Sequence, residues 1–438
     1  MKVILKIGVL VSLLLFFSPS SFSQRYLSDY DSTLFIKDTV RPFLRRMENL
    51  RFSGYIQPQF QVAQSEGAPS FEGGNFSEFS NNRFMLRRAR IKLDYQLPST
   101  TKERTLPNAL FSFQIDATER GVNVRDMFLR LYEPSSQNFS LTMGLFARPF
   151  GYEVNLSSAY RETPERGRMS QILMPTERYL GAMISYDKIN GKKTSFFKWD
   201  VGAFNGQGLA PGGTTDFDSY KDIISRITIK PINLSTTLSL SAGLSVLYGG
   251  WRQATKYKYE MGTVNGSHLF HVDSSASNIG DKAPRHYYGG DAQFVYKHAW
   301  GKTELRGEYW FGTQPGTATS TANPGTLPTT PTYIRNFNGA FFYFLQDIID
   351  YRNELMIKYD WYDPNTKVST AEIGKAATNL TLADLKFSTI GIGFTRYIKS
   401  NLKILGYYDI VTNEKTKLVG FTDDIKDNTF TFRIQMRF

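Results

Sequence analysis

The strongest constraint on this chain is a two-residue alternation of apolar and polar side chains that recurs from residue 50 to the last position. In LRFSGYIQPQFQVAQ, Leu50, Phe52, Gly54, Ile56, Pro58, Phe60 and Val62 alternate with Arg51, Ser53, Gln57, Gln59 and Gln61. LFSFQIDAT sets Phe111, Phe113, Ile115 and Ala117 against Ser112, Gln114, Asp116 and Thr118. The closing DNTFTFRIQMRF sets Phe430, Phe432, Ile434, Met436 and Phe438 against Thr429, Thr431, Arg433, Gln435 and Arg437. Successive residues of a strand point to opposite faces, so each segment has one face suited to lipid and one suited to water. Sandwich proteins alternate too, so the number and spacing of the segments must decide.

Alternating segments start near residues 50, 84, 110, 124, 139, 178, 194, 222, 237, 286, 301, 340, 354, 386, 399 and 428, sixteen in all. An even count is what a single-chain bacterial barrel requires. Short connections such as EPSSQN, DKINGKKT, HAWGK and YIKSN alternate with long ones over 64–83, 149–177, 249–285 and 312–338. Short periplasmic turns and long outer loops belong to outer-membrane barrels. The spacing therefore predicts an all-β chain, a transmembrane antiparallel β-barrel of about 16 strands over residues 50–438, embedded in outer-membrane lipid of a Gram-negative bacterium. The segment near 340, FNGAFFYFLQDIIDY, is the least regular. With 34 Phe, 25 Tyr, 5 Trp and 35 Gly, the composition supplies aromatic girdles and tight turns.

The N-terminus fits export. Lys2 and Lys6 precede and enter an apolar run from Ile7 to Phe17, and Ser21 and Ser23 hold the small-x-small positions of a cleavage site. Residues 1–23 are expected to be a secretory signal peptide, since the run is about half the ~20 residues a spanning helix needs. Residues 24–49 do not alternate and are expected to be a short periplasmic segment before the barrel. No long apolar stretch follows, but a hydropathy scan does not detect strands. The chain has no cysteine, which excludes disulfides and thiolate metal sites.

Without the leader's two lysines, 50 basic residues face 40 acidic ones. Such an excess serves nucleic acid, anionic lipid or anionic solutes according to its placement. In RRARIKLDYQL, Ala89, Ile91, Leu93, Tyr95 and Leu97 form the lipid face, which turns Arg88, Arg90 and Lys92 into the lumen at intervals of about 6.8 Å. Three cations in a row on a wet wall make a ladder for anions, and guanidinium matches phosphate oxygens with a planar fork of donors. Solubilising charge in a wide lumen is the plainer alternative. Arg433 and Arg437 share the lumen face of the last strand, and Arg306 shares a face with Glu308.

FSGYIQPQFQ, RFMLRRARIKLDY, MGLFARPFGYE, ERYLGAMISY and FNGQG, in that order and followed by terminal Phe438, resemble the phosphate-selective porins of the O and P type, in the branch found in Bacteroidetes-like bacteria. The resemblance covers roughly residues 50–438. It implies a sixteen-stranded barrel, usually a homotrimer, whose third outer loop folds inward and whose basic wall guides phosphate or related anions. Phe438 likewise resembles the terminal aromatic by which such proteins are recognised for insertion. The loop RPFGYEVNLSSAYRETPERGRMSQILMPTER lies where that family's constriction lies. Arg148 is expected to face inward at its base, with Arg161, Arg166, Arg168 and Arg178 opposed to Glu153, Glu162, Glu165 and Glu177. The mixture departs from a purely cationic filter and puts phosphate selectivity in question. Opposed charges across a constriction favour polar solutes of either sign.

Local catalytic signatures are missing from the sequence, although the members of a Ser/His/carboxylate set would meet only in the fold. The four histidines, His268, His271, His286 and His298, show no HExxH spacing, and no GxSxG is present. WGKT carries a GK[ST] triplet, but Tyr296 stands where a phosphate loop needs glycine. The expectation is a non-enzymatic porin without cofactor or metal, not binding nucleic acid, that passes small hydrophilic or anionic solutes. The alternative is a closed barrel that binds a partner through its outer loops.

Overall fold

The structure is a computed structural model that describes residues 47–99, 106–188, 195–208 and 215–438. The leader expected over 1–23 and all but the end of the segment expected over 24–49 lie outside the described residues. A compact unit runs from Phe52 to Phe438. The strands are β1 (Leu50–Ala63), β2 (Asn82–Leu97), β3 (Ala109–Thr118), β4 (Gly121–Tyr132), β5 (Phe139–Ala147), β6 (Arg178–Tyr186), β7 (Phe197–Phe204), β8 (Asp222–Asn233) and β9 (Leu238–Arg252). They continue with β10 (Lys258–Val264), β11 (Ser267–Asp273), β12 (Lys282–His298), β13 (Gly301–Gly316), β14 (Thr332–Ile348), β15 (Asp350–Asp363), β16 (Phe387–Lys399), β17 (Leu402–Asn413) and β18 (Thr429–Arg437).

Sixteen of these close a barrel. Each pairs with its neighbour in the chain, β9 pairs with β12, and β1 pairs with both β2 and β18. At the closing seam Ile56 meets Met436 and Phe60 meets Phe432 on the outside, while Gln59 meets Arg433 and Gln61 meets Thr431 on the inside. Outward Phe52, Ile56, Phe432 and Ile434 are exposed or half-exposed, whereas inward Gln57, Gln59 and Gln61 are buried. Rings gather at both rims, with Phe139 on Tyr186 and Tyr186 on Phe197 at the turn side, and Tyr288 on Phe311 and Tyr309 on Trp361 towards the other. Amphipathic rings at the two interfaces flank the apolar band that hydrocarbon requires.

Phe438 fastens the seam. Its backbone N–H donates to the Gly54 carbonyl and its carbonyl accepts from Gly54 N–H, both at 3.0 Å, while its ring stacks on Phe52 at 5.6 Å. A Cβ on Gly54 would lie 2.5 Å from that ring and 2.4 Å from the Arg90 carbonyl, so glycine is required for the close approach.

The loops are long on one side, with an exception: β3 and β4 are joined by Glu119 and Arg120 alone. The long connection between β9 and β12 contains the β10–β11 hairpin, turned by Asn265 and Gly266, both at positive φ. That Asn-Gly pair is the sequence mark of a tight hairpin turn. The strand near 340 starts earlier than its pattern shows, at Thr332. It reads irregularly because Phe341, Tyr343 and Leu345 are apolar on the inner face, where they pack in a buried cluster beside Tyr152.

Candidate solute pathway through the barrel

The third outer loop, residues 148–177, folds into the lumen, and two kinds of contact hold it. The first is apolar. Phe146, Tyr179, Phe204, Ile224, Leu247, Tyr287, Trp310, Phe337 and Tyr362 project inward from the outer half of the wall and form one core with the loop's Phe150, Val154, Met169, Leu173 and Met174. Phe150 is fully buried and meets the Trp310 ring edge-on at 4.8 Å. Burying such a side chain contributes about 1.5–3 kcal/mol, enough to draw a loop away from water. The loop's helix, α1 (Arg168–Leu173), is preceded by Gly167, whose N–H donates to the Glu153 carboxylate at 2.9 Å; Arg166 donates to the Ser170 and Met174 carbonyls at 2.9 and 3.0 Å.

The second contact is a polar seam along β1, β2, β13, β17 and β18. Gln57 donates to the Ser158 carbonyl at 3.0 Å, Gln435 to Ala159 at 2.8 Å, Lys403 to Arg161 at 2.9 Å and Arg433 to Pro164 at 2.9 Å. Glu162 takes a two-pronged bond from Arg306 at 2.7 and 2.9 Å. Glu165 gathers three cations: Arg87 at 2.8 Å, Arg88 at 2.6 Å and Arg433 at 3.3 Å. Arg87 and Arg88 are adjacent yet both reach inward, so the inward parity of β2 shifts by one residue there.

This packing decides which of the expected residues meet solvent. Arg88 and Arg90 stand on the lumen side, but both are buried, Arg88 against Glu165 and Arg90 against Asp116 at 3.0 Å. Lys92 stays partly open and pairs with Asp94 at 2.8 Å. Arg148 is buried with its guanidinium 3.7 Å from the Tyr179 ring centre. Arg306 lies between Glu162 and Glu304, and Arg433 also takes Gln59. Arg437 donates to the Ser400 carbonyl and lies over Tyr160 at 4.6 Å. Within the loop, Arg161 and Arg166 lie 3.8 and 3.5 Å from Glu177. Arg168 packs on the Phe71 and Phe387 rings, and Arg178 pairs with Asp126 at 3.0 Å. Glu153 also accepts from Ser170 and from Tyr343 at 2.8 and 2.9 Å. The charges expected to oppose one another across a gap therefore mostly bond within the loop or to the wall.

Open space remains on the other side of the loop. A cavity of about 620 Å³ is walled by β2–β8, and its side chains include Lys92, Arg130, Arg178, Lys198 and Arg226 against Asp126 and Asp200. It extends from Arg178, at the outer end of β6, to Lys198, at the turn end of β7. Arg130 donates to the Thr142 hydroxyl at 2.8 Å and, among the described residues, has no carboxylate within 4.0 Å. Arg130, Lys198 and Arg226 were not singled out in the sequence, although strand parity marks each as inward.

The outer loops form their own contacts. His268 on β11 meets Glu372 of the loop after β15 at 3.1 Å, and Glu372 also accepts from the His268 and Ser369 N–H groups at 2.7 and 2.8 Å. Burial pushes the Glu372 carboxyl up, but these bonds outweigh it and hold it at about 2. Asp427, in the loop before β18, is pushed up to about 6 by burial despite Arg168 nearby.

No protein-family model matches the chain. No curated protein sequence matches it. Solved structures do. Pseudomonas putida OprB superposes with a TM-score of 0.59 over 92% of this chain and 97% of its own, at 10% identity. The outer membrane channel DcaP of Acinetobacter baumannii gives a TM-score of 0.51 over 89% and 97%, at 13% identity. At such identity the likeness is one of fold. A closed sixteen-stranded barrel with an outward apolar belt satisfies its backbone internally and suits the Gram-negative outer membrane. The protein has the fold of an outer-membrane β-barrel, a closed antiparallel sheet of sixteen strands like those it superposes on.

Proposed function

We propose that the protein is a passive diffusion channel for small hydrophilic solutes and that its lumen favours anions. The observation that carries this reading is the cavity beside the inward loop, with five cations and two carboxylates on its walls. Lys92, Arg178, Lys198 and Arg226 each have a carboxylate within 4.0 Å, whereas Arg130 has none among the described residues, and an unpaired cation in a confined space raises the local concentration of anions. The anion ladder read on Arg88, Arg90 and Lys92 is assigned instead to Lys92, Arg130 and Lys198, because Arg88 and Arg90 are covered, as is Arg226 by its two-pronged bond to Asp291 at 2.7 and 3.1 Å. The resemblance to phosphate-selective porins narrows the solute to phosphate and related oxyanions and adds a homotrimer. Diffusion asks for no catalytic group, and the protein is read as a channel rather than an enzyme.

The apolar core between loop and wall favours a second reading, a barrel filled by its own loop that acts through its outer surface. Planar-bilayer recording of the purified protein in a salt gradient separates the two. The channel reading expects discrete conductance steps, a reversal potential of anion-selective sign, and a weaker preference in Arg130→Gln. Block of chloride current by low phosphate would establish the oxyanion preference. A barrel that inserts but passes no current supports the second reading.

A further inference from the structure

We propose that a second cavity, at the turn-side end of β13, β16, β17 and β18, is a binding site for small organic carboxylates, aromatic monocarboxylates foremost. It rests on the channel reading, because its solute arrives along the lane just described. The cavity measures about 260 Å³, and Leu156 lines both it and the lane. A solute in the lane is thus one side chain away from it.

Two cations in its wall have no ion-pair partner in contact, although Glu162 in the same wall and Glu354 attract Lys403 from farther off. Lys403 is 5% exposed, and its ammonium donates to the Arg161 carbonyl. Arg437 donates to the Ser400 carbonyl. Among the described residues, neither has a carboxylate within 4.0 Å. The third cation, Arg306, is already neutralised by Glu162 and Glu304. A nearly buried ammonium held by a backbone carbonyl alone gains strongly from an anion, since charge-assisted bonds are about twice as strong as neutral ones.

The rest of the wall selects among anions. Leu156, Leu402 and the rings of Tyr160 and Tyr397 present apolar surface. Phosphate has no apolar part to set against it and must shed water from every oxygen. An arene carboxylate places its charge between Lys403 and Arg437 and its ring against the leucines and Tyr397. Such a mix of apolar walls and a few convergent polar groups is how small-molecule sites are built.

The test is chloride conductance of the purified protein in planar bilayers, with benzoate or phosphate added to either side. Benzoate is expected to block from the turn side at a concentration about tenfold below that of phosphate. Lys403→Met and Arg437→Gln should each raise the half-blocking benzoate concentration about tenfold, one charge-assisted bond's worth, and leave that of phosphate unchanged. The second variant removes no hydrogen bond to the inward loop, only the contact with the Tyr160 ring, so it disturbs the loop less than the first. Conducting channels that benzoate does not block, or variants that benzoate blocks as strongly as the unaltered protein, overturn the proposal. If the protein does not conduct at all, the channel reading fails and the site is tested by calorimetry in detergent. Benzoate heat lost in both variants then supports it, and absence of heat overturns it.

Discussion

Removing the charge of Glu165 should release the middle of the inward loop from the barrel wall. Its carboxylate accepts from Arg87 at 2.8 and 3.1 Å, from Arg88 at 3.0 and 2.6 Å and from Arg433 at 3.3 Å. Glu165, Arg88 and Arg433 are at most 3% exposed, so little water replaces what is lost. Glu165→Gln keeps the shape and one acceptor oxygen but leaves three neighbouring guanidiniums without an anion. Removing one partner of a buried ion pair costs about 3–5 kcal/mol, and the loss here falls on loop docking. At about 1.4 kcal/mol per tenfold, a cost of about 3 kcal/mol raises the undocked population by about two orders of magnitude. The apolar anchors at Phe150 and α1 stay in place, so undocking is confined to the stretch around 158–166. Single-channel recording should show a larger, noisier conductance with stronger anion selectivity, because Arg88 and Arg433 become wet. Circular dichroism should show the barrel intact. Unchanged conductance, noise and reversal potential in a folded variant would refute the claim that Glu165 is what holds three cations against the loop.

Phe150→Ala should destabilise the loop's other anchor by about 3–5 kcal/mol, because the ring is fully buried against Trp310. A denaturant series followed by tryptophan fluorescence reads this, and a change below about 1 kcal/mol would mean the core tolerates the cavity. Gly54→Val should prevent normal closure of β1 on β18, since even a Cβ would sit 2.5 Å from Phe438. Folding into lipid vesicles, read by the gel shift of unheated samples, should fall sharply, and normal folding yield would refute the steric reading. The clasp between β11 and the loop after β15 should weaken in acid. The Glu372 carboxyl lies at about 2 in the folded protein, below the ~4.3 of an unfolded glutamate, so its stabilisation is complete above that range and is lost as pH falls through about 2. Hydrogen exchange of residues 364–386, corrected for the intrinsic pH effect, should accelerate over that window, and Glu372→Gln should flatten the trend.

How far the sequence discloses this molecule depends on whether a property is local. Facing direction is local: two-residue alternation placed Ile56, Phe432 and Ile434 in lipid and Gln57, Arg88 and Arg306 inside, and sixteen such segments were enough for a closed barrel. The Asn265-Gly266 turn was legible on the same terms and was absorbed into a long loop. Two signals broke the pattern. Arg87 and Arg88 both point inward across a shift in strand parity, and Phe341, Tyr343 and Leu345 are apolar on a face expected to be wet. The second departure has a physical meaning: inward apolar residues on a water-filled barrel wall require something to cover them, and the loop from 148 to 177 does so through Tyr152.

Solvent access is not local. Glu165 and Arg433 are 268 residues apart in the chain, and nothing in either neighbourhood announces that one neutralises the other. The arginine row of β2 therefore read as a ladder from its own spacing, while the loop's Glu165 covers Arg88, Asp116 of β3 takes Arg90, and Lys92 stays partly open. The loop brings Glu162 and Glu165 to the half of the barrel where Arg306, Arg87, Arg88 and Arg433 stand, and the opposite half keeps the open space. Covering one set of cations with the loop's own carboxylates thus leaves the charge balance along the lane to residues such as Arg130. A shift of anion preference in Arg130→Gln with none in Arg90→Gln would distinguish this division of the lumen from a uniformly basic wall.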